Sequence, residues 1–548
     1  MNDAGPSAAS ALAMPSAGAS AQVFGGSSGV APDVRELLGG LTTSPWGQVA
    51  PSVYETGRVV SHAPWLTGHE RRVAYLLETQ RSDGGWGAPD DGYALVPTLS
   101  ATEALLSALD RGDSRAPVAD AAVRGLRRLG HWLPGVGGRL PDMPAIELIV
   151  PSLIERINER IAASPAPAGR PEATPLPLPH GVDGGKLDLM RKLLRSGLPP
   201  WTKLMHALET GGDAARGLAP AGPETGGPPA AIGASPAATA AWLGDRPPDD
   251  PSTPARWYLE TVAAAHDGLL PVTFPLTVFE RGWVIGWLAR AGVPFSAPPH
   301  LVLSLTAPLG ARGTAAADGL PADADTTAGA LYALAHLGAA HSPEPLLQYE
   351  TATHFCTWQG EEGFSTTTNA HALEAFGEYL RTVPAERIAD DTAHRYKARM
   401  RKAESWLIGQ QRDDGSWADR WHASPYYATT CCVLALRSFG RDPRTAAALE
   451  RARHWVLGTQ RPDGSWGRWQ GTAEETAYAV LTLLLGAERP ERPNAEAVRA
   501  AARGRAALGR ADGTALWHDK DLYHPRAIVR AAVLAARYLL GAAGHSAE

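Results

Sequence analysis

Cysteine is scarce in this chain: Cys356, Cys431 and Cys432 are all there is in 548 residues. Three thiols cannot build a disulfide framework, and the adjacent pair lacks the spacing of a zinc site. A reducing, cytoplasmic setting is the expectation. Positive charge is also in short supply. Lys and Arg number 51 against 57 Asp and Glu, a net charge of -6, so nucleic acid is not an expected partner. An anionic ligand would have to be met by a few local cations. No apolar run reaches the ~18 residues needed to span a bilayer. The first 30 residues hold neither an early Lys or Arg nor a continuous apolar core. They read as a disordered tail and not as a secretory leader.

What the sequence does have is an internal repeat. Gln80-Arg-Ser-Asp83-Gly84-Gly85-Trp86 recurs at Gln411 to Trp417 and at Gln460 to Trp466. Each copy follows one helical pattern and precedes another, so the unit is helix, Asp-Gly turn, helix. The Trp ring is expected to cover the Gln amide, and the amide to bond an exposed helix end. A helix pair cannot bury its apolar face alone, so the units must stack into a solenoid or close into a ring. Weaker copies occur at Trp358 to Phe364 and at Asp512 to Trp517. Strand signals are few, and the fold class is all-α. The Pro/Gly/Ala-rich stretches Ala163 to Gly185 and Leu218 to Ala234 read as long loops.

Pro321-Ala-Asp323-Ala-Asp325-Thr326-Thr327 opens a further helical run. Acidic residues at a helix start are ordinary caps. They can also be an acid. A carboxyl group that stays protonated, because its site is apolar and a second carboxylate lies beside it, can deliver a proton. In that reading Asp325 is the acid and Asp323 its partner.

The Gln–Trp repeats together with Asp323-Ala-Asp325-Thr326-Thr327 resemble the class II terpene cyclases. Other stretches share the resemblance: Ser52-Val-Tyr54-Glu55-Thr56, Glu147 to Leu153, Ser235 to Ala240, Phe279 to Val284, Trp421 to Tyr427 and Leu516 to Tyr523. The resemblance implies two α/α-barrel domains called β and γ, with the site between them and γ inserted into β. On this chain β takes 31–60 and 300–548, and γ takes 61–299. It implies protonation of the terminal alkene of a linear prenyl diphosphate by the middle Asp, Asp325. The family's usual Asp-x-Asp-Asp is altered here, with Thr326 in the last position. Asp-x-Asp-Thr-Thr resembles cyclases that make drimenyl diphosphate from farnesyl diphosphate, which points to a C15 substrate. The alternative is a C20 substrate, geranylgeranyl diphosphate, and a labdane-type product.

No Asp-Asp-x-x-Asp motif is present. Asp390-Asp391-Thr-Ala-His394 comes closest and reads as a solvated loop, so the diphosphate is expected to survive. Asp142 and Glu147 have the spacing that resembles the family's magnesium site, and hard carboxylates completed by phosphate and water suit Mg²⁺. Arg420 and Lys520 are the candidate grips for the diphosphate, with Arg281 and Lys203 behind them. Trp283, Trp358, Phe364, Trp421, Tyr426, Tyr427 and Tyr523 are candidates to line the site and stabilise a cation. His422, Asn369 and His371 are candidates for the terminating base. Two rival readings remain: a non-catalytic repeat scaffold, which needs no acid, and a zinc prenyltransferase-like barrel, which needs a ligand set that the spacing does not offer.

Overall fold

A computed structural model describes residues 30–89, 91–135, 140–163, 174–197, 202–216, 218, 230–487 and 494–545. The tail, apart from Val30, and much of the two Pro/Gly-rich stretches lie outside the described residues. The rest is helical, with one short antiparallel pairing of Trp517–His518 with Leu522–Tyr523.

Six helices form the inner wall of one barrel: Val278–Arg290, Ala324–His336, Thr366–Thr382, Pro425–Phe439, Ala473–Leu485 and Arg526–His545. Each packs on the next, and the last packs back on the first, so the ring closes. Their sequences explain the position. Every residue from Ala324 to Ala335 and from Ala473 to Leu484 is buried, as expected of helices apolar all round. Outer helices such as Asp390–Gly409 and Thr445–Gly458 bury one stripe only. Because the chain alternates between inner and outer helices, the inner ones run parallel. Their N-termini gather at one end, capped by Asp323, Ser365, Ser424 and Thr472.

A second, smaller ring is built from Val53–His62, Asp91–Asp110, Ile146–Ala163, the 3₁₀ segment Leu208–Ala215 and Pro236–Leu243. This packing moves both expected domain boundaries. Val53–His62, assigned to β from the sequence, is an inner helix of γ. Val278–Arg290 and Pro299–Thr306 pack on the Asp325 helix and belong with β. Ala31–Thr43 packs on the C-terminal helix, so the chain starts in β, leaves for γ and returns.

The repeats bond differently from the expectation. The indole N–H, and not the Gln amide, satisfies the exposed helix end: Trp86, Trp417 and Trp466 donate to the carbonyls of Leu76, Leu407 and Val456 at 2.7–2.8 Å. Each Gln amide instead donates to the turn's own Gly carbonyl and to the next outer helix, at Ala121, Ala448 and Ala500. The Trp backbone N–H bonds a Thr of the following inner helix. One turn therefore ties three helices. The three Trp side chains are fully buried, and removing one such ring costs about 3–5 kcal/mol.

The turn needs glycine. Gly415 has φ +94°, and a Cβ there would stand 2.5 Å from the carbonyl oxygen of Arg451. Gly415→Ala is expected to lower unfolding free energy by about 1–3 kcal/mol. Gly409→Ala, at a helix end with open space around it, should be neutral or mildly stabilising. Equal denaturation midpoints for the two variants would refute this account of the turn.

Candidate active site

The acid motif sits at the gathered N-termini. Asp323 is the cap of its helix, accepting the N–H of Thr326 at 2.6 Å. The capping role is real, and it falls on the first Asp alone. Thr327 fixes the segment from below: its hydroxyl donates to the Asp323 carbonyl at 2.5 Å and accepts the N–H of Thr314 at 2.9 Å. Asp325 does no capping. Its Oδ1 accepts from Nδ1 of His371, on the neighbouring inner helix, at 2.8 Å.

Burial sets the protonation of this group. Asp323 is 4% exposed. Loss of hydration, with the charge of Asp325 added, pushes it up to about 8 against the pull of the Thr326 N–H. It therefore keeps a proton at neutral pH. Burial opposes a charge on His371, but Asp325 outweighs it and holds the imidazole up at about 10. His371 is then an imidazolium donating to the Asp325 carboxylate, the form that remains once Asp325 has given up its proton.

Aromatic rings wall the space beside this pair. The indole of Trp283 stands edge-on to His371, ring centres 5.0 Å apart, and donates to the Tyr427 hydroxyl at 2.7 Å. Phe279 stacks on Trp283, and Trp517 bridges Phe279, Tyr427 and Tyr523. Gly329, one turn beyond Asp325, makes the approach of Trp283 possible, since a Cβ there would lie 2.4 Å from the indole. Phe279, Trp517 and the pairing of His371 with Asp325 were not singled out in the sequence. The two partners are 46 residues apart, and no spacing rule joins them.

Charges gather where the two domains meet. Arg420 donates to Asp142 at 2.9 Å, to Glu361 at 3.1 Å and to the Glu362 carbonyl at 3.0 Å. Lys186 bonds Glu362 at 3.1 Å and lies 3.8 Å from Glu147. Lys203 sits over the ring of Trp358, which stands edge-on to Trp421. The carbonyl of Thr357, next to Trp358, accepts the N–H of Ala324, so this rim adjoins the acid motif. Among the described residues no three His, Cys, Asp or Glu side chains group as a metal site. Asp142 and Glu147 offer two half-exposed hard donors, which fits Mg²⁺ completed by phosphate and water.

Several candidates fall elsewhere. Lys520 is wholly buried, its ammonium bonded to Glu55 at 2.6 Å, Glu209 at 2.9 Å, Ser235 at 2.7 Å and the His206 carbonyl at 2.9 Å. An ammonium has three donors, so none is left for a diphosphate. Arg281 bonds the Pro45 carbonyl, two residues from Trp283 and so on the opposite helix face. Tyr426 packs outward on Trp455, while its neighbour Tyr427 faces in. Phe364 is 46% exposed and leans on Trp406. Asn369 spends its amide on Phe355 and Ser365. Asp390 and Asp391 open the outer helix Asp390–Gly409 and are not in a loop.

The chain as a whole resembles known proteins. A family model described as squalene–hopene cyclase C-terminal domain matches residues 381–520. The ent-copalyl diphosphate synthase of Streptomyces sp. (strain KO-3988) is 42% identical over 91% of this chain and 94% of its own length. The copalyl diphosphate synthase of Streptomyces cyslabdanicus is 43% identical over 93% and 95%. The solved structure of ent-copalyl diphosphate synthase from Streptomyces platensis superposes with a TM-score of 0.86 at 45% identity, covering 93% of this chain and 99% of that one. This chain belongs to the class II terpene cyclase family.

Proposed function

We propose that the chain cyclises geranylgeranyl diphosphate to a bicyclic, copalyl-type diphosphate. The observation that carries the cyclase chemistry is the Asp325–His371 pair inside an aromatic wall. The C20 substrate rests on relatives above 40% identity that are named copalyl diphosphate synthases, and it replaces the C15 expectation as the leading reading. The second reading, farnesyl diphosphate to drimenyl diphosphate, is favoured by Thr326-Thr327.

Asp325 gives the proton of its carboxyl group to the terminal alkene carbon. The π pair forms the new C–H bond and leaves a tertiary cation, which the next alkene attacks. His371 stabilises the carboxylate left behind. Asp323, neutral at pH 7, does not oppose that charge. Trp283, Tyr427, Trp517 and Tyr523 present ring faces to the cation without attacking it. Arg420 and Lys203 hold the diphosphate end, and Mg²⁺ on Asp142 and Glu147 would neutralise part of its charge when bound.

Incubation with C10, C15 and C20 prenyl diphosphates, then phosphatase treatment and product identification, tests the substrate. A copalol-type alcohol from the C20 substrate at the highest kcat/KM is the expected result. Preferential turnover of farnesyl diphosphate to drimenol reverses the order of the two readings.

Asp325→Asn is expected to lose at least about 10³-fold in kcat, within the range of general acid catalysis, with an unchanged melting temperature. Asp323→Asn should be milder in rate. In the wild type kcat should fall as pH rises through about 8, where Asp323 ionises and its charge opposes the carboxylate that Asp325 leaves behind. In Asp323→Asn that fall should vanish; a profile identical to wild type refutes the coupling.

Arg420→Ala should raise KM at least about tenfold with a smaller effect on kcat, since it removes a grip made before and during reaction. Asp142→Ala and Glu147→Ala should raise the magnesium concentration for half activation. Unchanged titration curves would retire that pair as ligands.

A further inference from the structure

The reaction just proposed needs a base at its end, and the three sequence candidates are all otherwise engaged. His371 serves the acid and Asn369 is saturated. His422 has Nδ1 3.0 Å from the Ser424 N and 3.3 Å from its carbonyl oxygen, and Nε2 3.2 Å from Glu474. Neither nitrogen is free to act as the base.

We propose that Glu474 is the general base that takes the last proton from the cyclised cation. Its position comes from the ring. Asp325 lies in the first turn of Ala324–His336 and Glu474 in the first turn of Ala473–Leu485. In the closed order of six inner helices these two stand three places apart, on opposite walls at the same end. The residues between them are connected. Glu474 bonds Trp517, Tyr478 and His422; His422 stacks on Tyr427; Tyr427 bonds Trp283; and Trp283 meets His371. One run of aromatic contacts joins the acid to Glu474.

Its hydrogen bonding is lopsided. Oε1 takes all three donors, Trp517 Nε1 at 2.7 Å, Tyr478 Oη at 3.0 Å and His422 Nε2 at 3.2 Å. Oε2 is buried with no hydrogen-bond partner among the described residues. A buried carboxylate oxygen left bare is costly, and the neighbouring glutamate shows that the helix start does not demand it. Glu475 accepts the hydroxyl of the cap residue Thr472 and the Arg468 N–H, and its own N–H donates to that hydroxyl, an ordinary role at a helix start. Glu474 has no such duty. Burial works against its charge, but the donors around Oε1 outweigh it and hold the carboxyl below its usual range, so it is ionised and able to accept. The phenol of Tyr523, kept protonated first by burial and then by the charges of Asp519, Glu474 and Asp325, packs on Trp517, the ring that donates to Glu474.

The step balances. A C–H bond next to the cationic carbon breaks, its electron pair becomes the new C=C bond, and the proton passes to Oε2. One proton enters from Asp325 and one leaves to Glu474, so substrate and product are isomers. Solvent exchange resets both carboxyl groups.

This assignment rests on the cyclase reading, and Glu474→Gln tests it on the full chain in a single-turnover assay with product identification by mass spectrometry. Gln keeps the size and the Oε1 contacts but cannot take a proton. The expected result is a folded variant that consumes substrate while the native alkene falls at least about tenfold as a share of product, conservatively within general-base effects. Hydroxylated bicycles or alkene isomers replace it. Native alkene in wild-type proportion overturns the proposal. So does a folded variant that leaves substrate untouched, because Glu474 would then act before the first ring closes. A wild type that cyclises no prenyl diphosphate in the same assay is a failure of the functional reading itself.

Discussion

The bond from a buried tryptophan N–H to the last carbonyls of an outer helix is the constraint on which this molecule depends. An α/α ring exposes helix ends at every corner, and a buried end without a partner is costly. Trp86, Trp417 and Trp466 each close one such end while their neighbouring Gln reaches the next outer helix. The corner is thus tied in three directions at once. Closure of the ring follows, and with it a chamber whose walls are inner helices buried on all sides. Without that dry wall Asp323 would not differ from a surface carboxylate.

The two barrels are joined by a plug of charge. Asp519, Lys520 and Asp521 form the turn between Trp517–His518 and Leu522–Tyr523, and all three are buried. Lys520 pairs with Glu55 and Glu209 of γ, Asp519 bonds His206, and Asp521 accepts from Ser52 and the N–H of Tyr54. Removing one partner of such a cluster costs about 3–5 kcal/mol because a bare charge stays behind. The turn also carries Trp517 and Tyr523 at its base, and both line the chamber. Domain docking and the shape of the site are therefore one event, which explains why a lysine that looked like a phosphate grip is needed inside.

Much of this was legible in the sequence. The repeats marked the helical units, and Asp323-Ala-Asp325 marked a helix start that holds two buried carboxyl groups, because local patterns report local structure. Facing direction was less legible. Tyr426 and Tyr427 are adjacent and equally aromatic, yet a helix turns by about 100° between them, so one packs outward on Trp455 and the other lines the chamber. Partners far apart in sequence were not legible at all. Nothing links Asp325 to His371, or Lys520 to Glu209, until the ring and the plug bring them together. The domain boundaries failed for the same reason: Val53–His62 and Val278–Arg290 are apolar segments that would suit either barrel, and only packing decides which.

Charge counting in the first turn of the Asp325 helix shows what Thr326 does. A carboxylate at that position would add a third acidic group within one turn, and its charge would make Asp325 hold its proton more tightly. Threonine keeps the backbone N–H that Asp323 accepts without adding charge. Asp323 is neutral at pH 7 through burial, so once Asp325 has given up its proton the turn carries one carboxylate, and the imidazolium of His371 balances it. An alkene is a poor base, and protonating it demands that the conjugate carboxylate be stabilised at the moment it forms. Here that stabilisation comes from a single 2.8 Å bond in a site from which competing carboxylate charge has been removed.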